Sequence, residues 1–150
     1  MTARFALAWI LPAFALLYCA GPAEVTTVTV RNLAKPGAFE LDNPGPGVDL
    51  ASRLAVEREV NGRWTAEVTD LTLIEKCAQP PPAACLHLPH GAALHPVPWN
   101  GLTCGSQCPA TCRANIYLGP GRFRFVVSSC GGNQKFPGPA FEMPPPPGGK

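Results

Sequence analysis

Leu54-Ala55-Val56-Glu57-Arg58-Glu59-Val60, then Asn61-Gly62, then Arg63-Trp64-Thr65-Ala66-Glu67-Val68 is the stretch that decides the fold class of this 150-residue chain. Asn-Gly between two strand-like runs is a strong short-range hairpin signal, because both central residues of the turn take positive φ. The same grammar recurs outward. Val25 to Arg31 is rich in β-branched residues, and Phe39-Glu40-Leu41-Asp42 alternates before Asn43-Pro44-Gly45-Pro46-Gly47 breaks the chain. Leu71 to Ile74 and Leu86 to Leu88 read as short strands, and Leu94 to Trp99 is extended because Pro96 and Pro98 forbid helix. Arg122 to Cys130 is the longest late strand, with Phe123, Phe125 and Val127 on its buried face. A glycine-rich hairpin over 131–138 leads to a last strand near Ala140 to Met143. Trp64 and Trp99 read as core filling. No helical periodicity follows the leader, so about seven short strands predict an all-β protein, an antiparallel β-sandwich.

The seven cysteines set the compartment. Arg4 precedes an apolar run from Phe5 to Tyr18, and small residues Gly21 and Ala23 follow. This pattern predicts a cleaved N-terminal signal helix over 1–23, shorter than the about 20 apolar residues a spanning helix needs. Cys19 follows Leu16-Leu17-Tyr18 and gives a second reading, lipidation at a bacterial lipobox, in which Tyr18 stands where such motifs carry a small residue. Either way Cys77, Cys85, Cys104, Cys108, Cys112 and Cys130 remain, an even set in a secreted or periplasmic domain, and so a disulfide framework. Residues 24–143 form one domain, and the Pro/Gly tail 144–150 is expected to be loose and disordered.

The formal charge of +2 falls to +1 once Arg4 is lost, and 19 prolines and 15 glycines make the chain loop-heavy. Arg122 and Arg124 are the only compact basic pair, read as the solvated face of a strand, so nucleic acid is not an expected partner. Nor is a membrane, unless Cys19 carries lipid.

Leu88-Pro89-His90-Gly91, Trp99-Asn100-Gly101 and Pro120-Gly121-Arg122-Phe123 resemble the L-x-P-G, W-x-G and P-G-x-Y motifs of bacterial immunoglobulin-like domains, notably the BsuPI-type proteinase-inhibitor domain. The resemblance covers about a quarter of the chain and implies an immunoglobulin-like sandwich. It also implies an inhibitory function, although such a fold hosts many functions. Phe123 stands in place of the family's tyrosine, so the corner hydroxyl bond is absent, and residues 102–118 look like a cysteine-bearing insertion.

Cys104, Cys108 and Cys112 are spaced by four, a face of metal ligands if helical, but Pro109 opposes a helix and exported thiols oxidise. The preferred pairing is Cys77–Cys85, Cys104–Cys130 and Cys108–Cys112, one of many open to six cysteines. Pro80, Pro81 and Pro82 would then sit in a disulfide-closed presenting loop. His87, His90 and His95 lie within nine residues and suit copper or zinc, but spacing alone makes no site. Ser106, Ser128 and Ser129 lack a glycine-flanked elbow, and Asp42, Asp49 and Asp70 are scattered at turns, so no catalytic triad is legible and no cofactor is expected. The expected function is an exported, non-enzymatic immunoglobulin-like module that binds a protein partner or serves as a cell-envelope accessory domain. The alternatives are a proteinase inhibitor, with a protease as partner, and an envelope metal-binding protein using the three histidines.

Overall fold

Asn61 and Gly62 hold φ angles of 53° and 75°, the left-handed pair that a two-residue hairpin turn demands. They join β4 (Arg53–Val60) to β5 (Arg63–Ala66), with Val60 opposite Arg63 and Glu57 opposite Ala66. The structure, a computed structural model, describes residues 27–74, 83–105 and 114–146. The leader with Cys19, Cys77, the Pro80–Pro82 run, Cys108 and Cys112 lie outside the described residues, as do 147–150. Among the described residues the chain is all-β and its strands pair antiparallel.

The remaining strands are β1 (Thr29–Asn32), β2 (Phe39–Asp42), β3 (Val48–Ala51), β6 (Leu71–Thr72), β7 (Cys85–Leu88), β8 (Ala93–Leu94), β9 (Gly121–Ser128), β10 (Lys135–Pro137) and β11 (Phe141–Met143). One sheet runs β1-β2-β8 and a larger one β10-β9-β4-β5, with β11 also on β9 and β6 also on β4. β3 pairs with β7, and a bridge from Leu50 to Ser129 ties that pair to the end of β9. β3 is the strand that the sequence reading did not see. Its signal is the alternation Val48-Asp49-Leu50, buried-exposed-buried, which the Pro-Gly run just before it hides.

The inner faces of the two larger sheets meet on aromatic rings. Phe39 of β2 stacks on Phe125 of β9 with centroids 4.2 Å apart, and Phe141 stacks on the same Phe125 at 4.7 Å. Trp99 stands edge-on to Phe123 at 5.1 Å and to Phe125 at 6.1 Å. Period-two alternation on β4 and β9 puts Leu54, Val56, Phe123, Phe125 and Val127 into this core. Trp99 is core, as the sequence suggests. Trp64 is not: it lies half-buried on β5, with the Arg124 guanidinium 4.5 Å from its ring. The physical reason is register, since Trp64 faces Glu59 on the outer side of the sheet. That outer face is a cross-strand ladder, Arg124 to Glu57 at 2.6 Å and Arg122 to Glu59 at 2.5 Å, so the arginine pair is ion-paired.

Asn43 is a buried polar side chain, 0% exposed. Its Nδ2 donates to the carbonyls of Pro46, Leu88 and Pro89 at 2.8, 3.0 and 3.1 Å, and its Oδ1 accepts from Gly45 N–H. It knits the proline-glycine turn to the end of β7. At the other end of the domain the Tyr117 hydroxyl donates to the Pro144 carbonyl, so the tail begins tethered.

Phe125→Ala is expected to cost about 3–5 kcal/mol in urea unfolding, because a fully buried ring is lost from a close-packed core. Asn43→Asp replaces the donating amide by an acceptor facing three carbonyls, and is expected to cost at least about 1–3 kcal/mol. A melting temperature unchanged in either variant would contradict this packing.

Candidate functional site

Disulfide geometry sets what any presenting loop looks like. Cys85, the first residue of β7, is bonded to Cys130, two residues past the end of β9, with Cα atoms 5.7 Å apart. This overturns the expected Cys77–Cys85 and Cys104–Cys130 pairs. The sheet decides it: β3 pairs with β7 on one side, while Leu50 bridges Ser129 and Cys130 N–H donates to Asp49 O at 2.6 Å. Asp49 and Leu50 of β3 thus bring the chain just past β9 to the corner where β7 begins, and there the two Cα atoms lie within disulfide reach. Cys104 is disulfide-bonded as well, to a partner outside the described residues. A disulfide of this kind is compatible with an oxidising compartment.

The three histidines are separated. His87 Nδ1 lies 2.8 Å from Asp49 Oδ1 across the β3–β7 pair. His90 Nδ1 lies 2.8 Å from the Gly45 carbonyl. His95 Nε2 lies 3.2 Å from Glu40 Oε2 on the outer face of the three-stranded sheet, where Arg31 also meets Glu40. Each is thus occupied by a different partner, and no group of three metal-ligating side chains forms among the described residues. The His87–Asp49 pair can orient an imidazole, but among the described residues no serine hydroxyl is hydrogen-bonded to it; Ser129 Oγ instead accepts from Gln134 N–H.

The described ends of the segment read from sequence as an insertion, residues 101–105 and 114–118, form a ribbon. They run alongside each other: Thr103 N–H donates to Ile116 O at 2.9 Å, Leu118 N–H to Gly101 O at 2.9 Å, and Leu102 bridges Tyr117. Side chains complete the ladder, with Thr103 Oγ1 donating to Ala114 O and Asn115 Oδ1 accepting from Cys104 N–H. Gly101 is required here, at φ 82°, because a Cβ would lie 2.4 Å from the Tyr117 ring. The ribbon is anchored to the core by Trp99, whose Nε1 donates to Leu102 O at 2.7 Å, and to the sheet by Asp70 N–H donating to Thr103 O at 2.8 Å.

Between ribbon and sheet lies a surface groove of about 440 Å³, lined by Arg53, Val68, Asp70, Thr103 and Ile116 among others. Val68 is 87% exposed and Ile116 60% exposed, two apolar side chains left in water at the groove's rim. Arg53 and Asp70 approach to 3.5 Å across its floor. Sequence reasoning missed both apolar residues, since a lone valine after a strand and a lone isoleucine before a tyrosine carry no periodic signal.

No family model, no curated protein and no solved structure matches this chain. Non-reducing digestion with mass spectrometry is expected to return peptides joined through Cys85 and Cys130. Peptides joined Cys77 to Cys85 would overturn the assignment. Replacing Cys85 and Cys130 together by serine is expected to cost about 2–5 kcal/mol, since the bond constrains a long loop of the unfolded chain.

Proposed function

We propose that this chain is an exported, non-enzymatic immunoglobulin-like module that binds a protein partner through the 101–118 ribbon and the groove beside it. One observation carries the reading: Val68 and Ile116 are exposed at the rim of a groove whose wall is already held by a ladder of backbone and side-chain hydrogen bonds. A pre-ordered wall loses little conformational freedom on binding, and apolar residues at its rim gain by leaving water. The two facing sheets with an aromatic core support the immunoglobulin-like description, and the turn motifs at 88–91, 99–101 and 120–123 resemble that family. The Cys85–Cys130 bond supports export.

A second reading, proteinase inhibition, is favoured by one observation: Cys104, at the base of the ribbon, is disulfide-bonded, and a covalent tie lowers the ordering cost of a presented segment. The 77–85 loop loses its part in that reading, because Cys85 is committed to Cys130.

The test is a photo-reactive amino acid placed at position 116 in cells, with exposed position 133, on the turn between β9 and β10, as a control. A discrete adduct from 116, lost on competition with the unlabelled domain, is the expected result; no adduct from 116 sinks the reading. Ile116→Asp is expected to weaken that complex at least tenfold, about 1.4 kcal/mol, while stability shifts by no more than about 0.5 kcal/mol because the side chain is exposed. Inhibition of a serine, cysteine or metallo-protease by the intact domain, abolished by changes within 104–114, would establish the second reading instead.

A further inference from the structure

The strand β5 ends its sheet. In the order β10-β9-β4-β5 nothing among the described residues pairs with its far side. The hairpin register fixes which backbone groups look outward. Val60 and Arg63 flank the two-residue turn and exchange bonds, Arg58 and Thr65 follow, and Glu67 N–H donates to Val56 O at 2.9 Å in the same phase. The N–H and C=O groups of Trp64, Ala66 and Val68 therefore point away from β4.

Three of the other edges are short or closed. β10 contains Pro137 and runs into Pro139, whose carbonyl accepts from Asn32 of β1 at 3.1 Å; β8 is two residues long before Pro96; β7 runs into Pro89. The 63–68 edge has no proline, and exposed open edges of this kind are templates for another strand.

We infer that this edge pairs antiparallel with the same edge of a second copy, about a twofold axis through Thr65. The sequence selects both occupant and register. With Thr65 opposite Thr65, the outward-pointing Trp64 and Ala66 come into hydrogen-bonded pairs, Trp64 opposite Ala66 of the second copy, and Val68 falls beside the turn residue Gly62. On that face each large side chain meets a small one. The other face sets Arg63 opposite Glu67 in both halves of the symmetric pair, at non-hydrogen-bonded positions where side chains approach most closely. A slip of two residues one way opposes Trp64 to Trp64 and removes both charge pairs. The same slip the other way opposes Ala66 to Ala66 and sets Glu67 against Thr65. Charges on an edge strand ordinarily block pairing; here their four-residue spacing cancels them only in the self-complementary register. Glu67 keeps its contact with Arg58, whose Nε lies 3.3 Å from Oε1.

Six residues of edge bury less than the roughly 1,200 Å² of a stable interface, so the association is concentration-dependent and closes at two copies. The paired edge shares Val68 with the groove but not Ile116, so the Arg63 and Ala66 variants read pairing and an Ile116 variant reads partner binding.

Sedimentation velocity on the purified protein across a dilution series, up to roughly 1 mM, reads it directly. A monomer–dimer equilibrium is expected. Arg63→Glu sets Glu against Glu twice and is expected to weaken the dimer at least tenfold; Glu67→Arg does the same with Arg against Arg. An equimolar mixture of the two variants restores complementarity and is expected to form a heterodimer. Ala66→Pro removes one outward N–H without touching the bonds to β4, and is expected to abolish pairing with circular dichroism unchanged. Wild-type protein that stays monomeric throughout, open-ended oligomers, or a dimer that survives both Ala66→Pro and Arg63→Glu would overturn the proposal. Should Glu67→Arg unfold through loss of its Arg58 contact, the Arg63→Glu and Ala66→Pro results decide alone.

Discussion

Phe125 lies against Phe39 of the opposing sheet on one side and against Phe141 on the other, at 4.2 and 4.7 Å, and the molecule is organised around that contact. Offset-stacked and edge-on rings bury large area and add about 0.5–1.5 kcal/mol per pair beyond it. The stack fixes how close the sheets approach, and this in turn dictates where the chain passes. Trp99 closes the end of the stack, and its N–H donates to Gly37 O at 2.8 Å. Gly37 must be glycine, since at φ 74° a Cβ would lie 2.1 Å from Trp99 O. Because the 101–118 ribbon begins two residues after Trp99 and is hydrogen-bonded to its indole, the aromatic core is also what aims the candidate binding surface.

Arg58 lies where the chain turns into β9. Arg58, directly opposite Phe123 across β4 and β9, lays its guanidinium 4.9 Å from that ring and donates to the Leu118 carbonyl, with Glu67 as its ionic partner. Its Nε makes no aligned hydrogen bond, so the contact with Glu67 is a charge pairing at 3.3 Å rather than a directed bond. One cation therefore fastens the 118–121 turn from the neighbouring strand.

Local chemistry was legible where period two and turn residues sufficed. The Asn61-Gly62 hairpin, β2 and the buried face of β9 are all visible in the letters, because side-chain alternation and positive φ are properties of a few adjacent residues. What was illegible depends on partners far away in sequence. Cys85 bonds Cys130 where β3 meets both β7 and the chain just past β9, and β3 itself was hidden behind Pro44-Gly45-Pro46-Gly47. Trp64 has the composition of a core residue and the register of a surface one. His87, His90 and His95 are close in sequence, yet a turn and a change of sheet give them separate partners. The ribbon was visible as an insertion but not as a hydrogen-bonded structure, since its ladder depends on Thr103 and Asn115 side chains reaching across it.

The central β4–β9 pairing joins residues that are far apart along the chain, from Arg58 with Phe123 to Ala55 with Val126. Closing so long a loop precedes any reward from the contacts it brings together, which makes such topologies slow to fold. A chain emerging N-terminus first thus has its β4–β5 hairpin exposed, with the inner faces of β1, β2 and β4 uncovered, until residues 121–128 arrive. Every fragment ending before Gly121 lacks the strand on which Phe39, Val56 and Trp99 all pack. Folding of this domain is in that sense an event of β9 and the strands after it, and the hydrophobic halves made earlier must be kept from one another, and from other chains, for as long as synthesis takes to reach them.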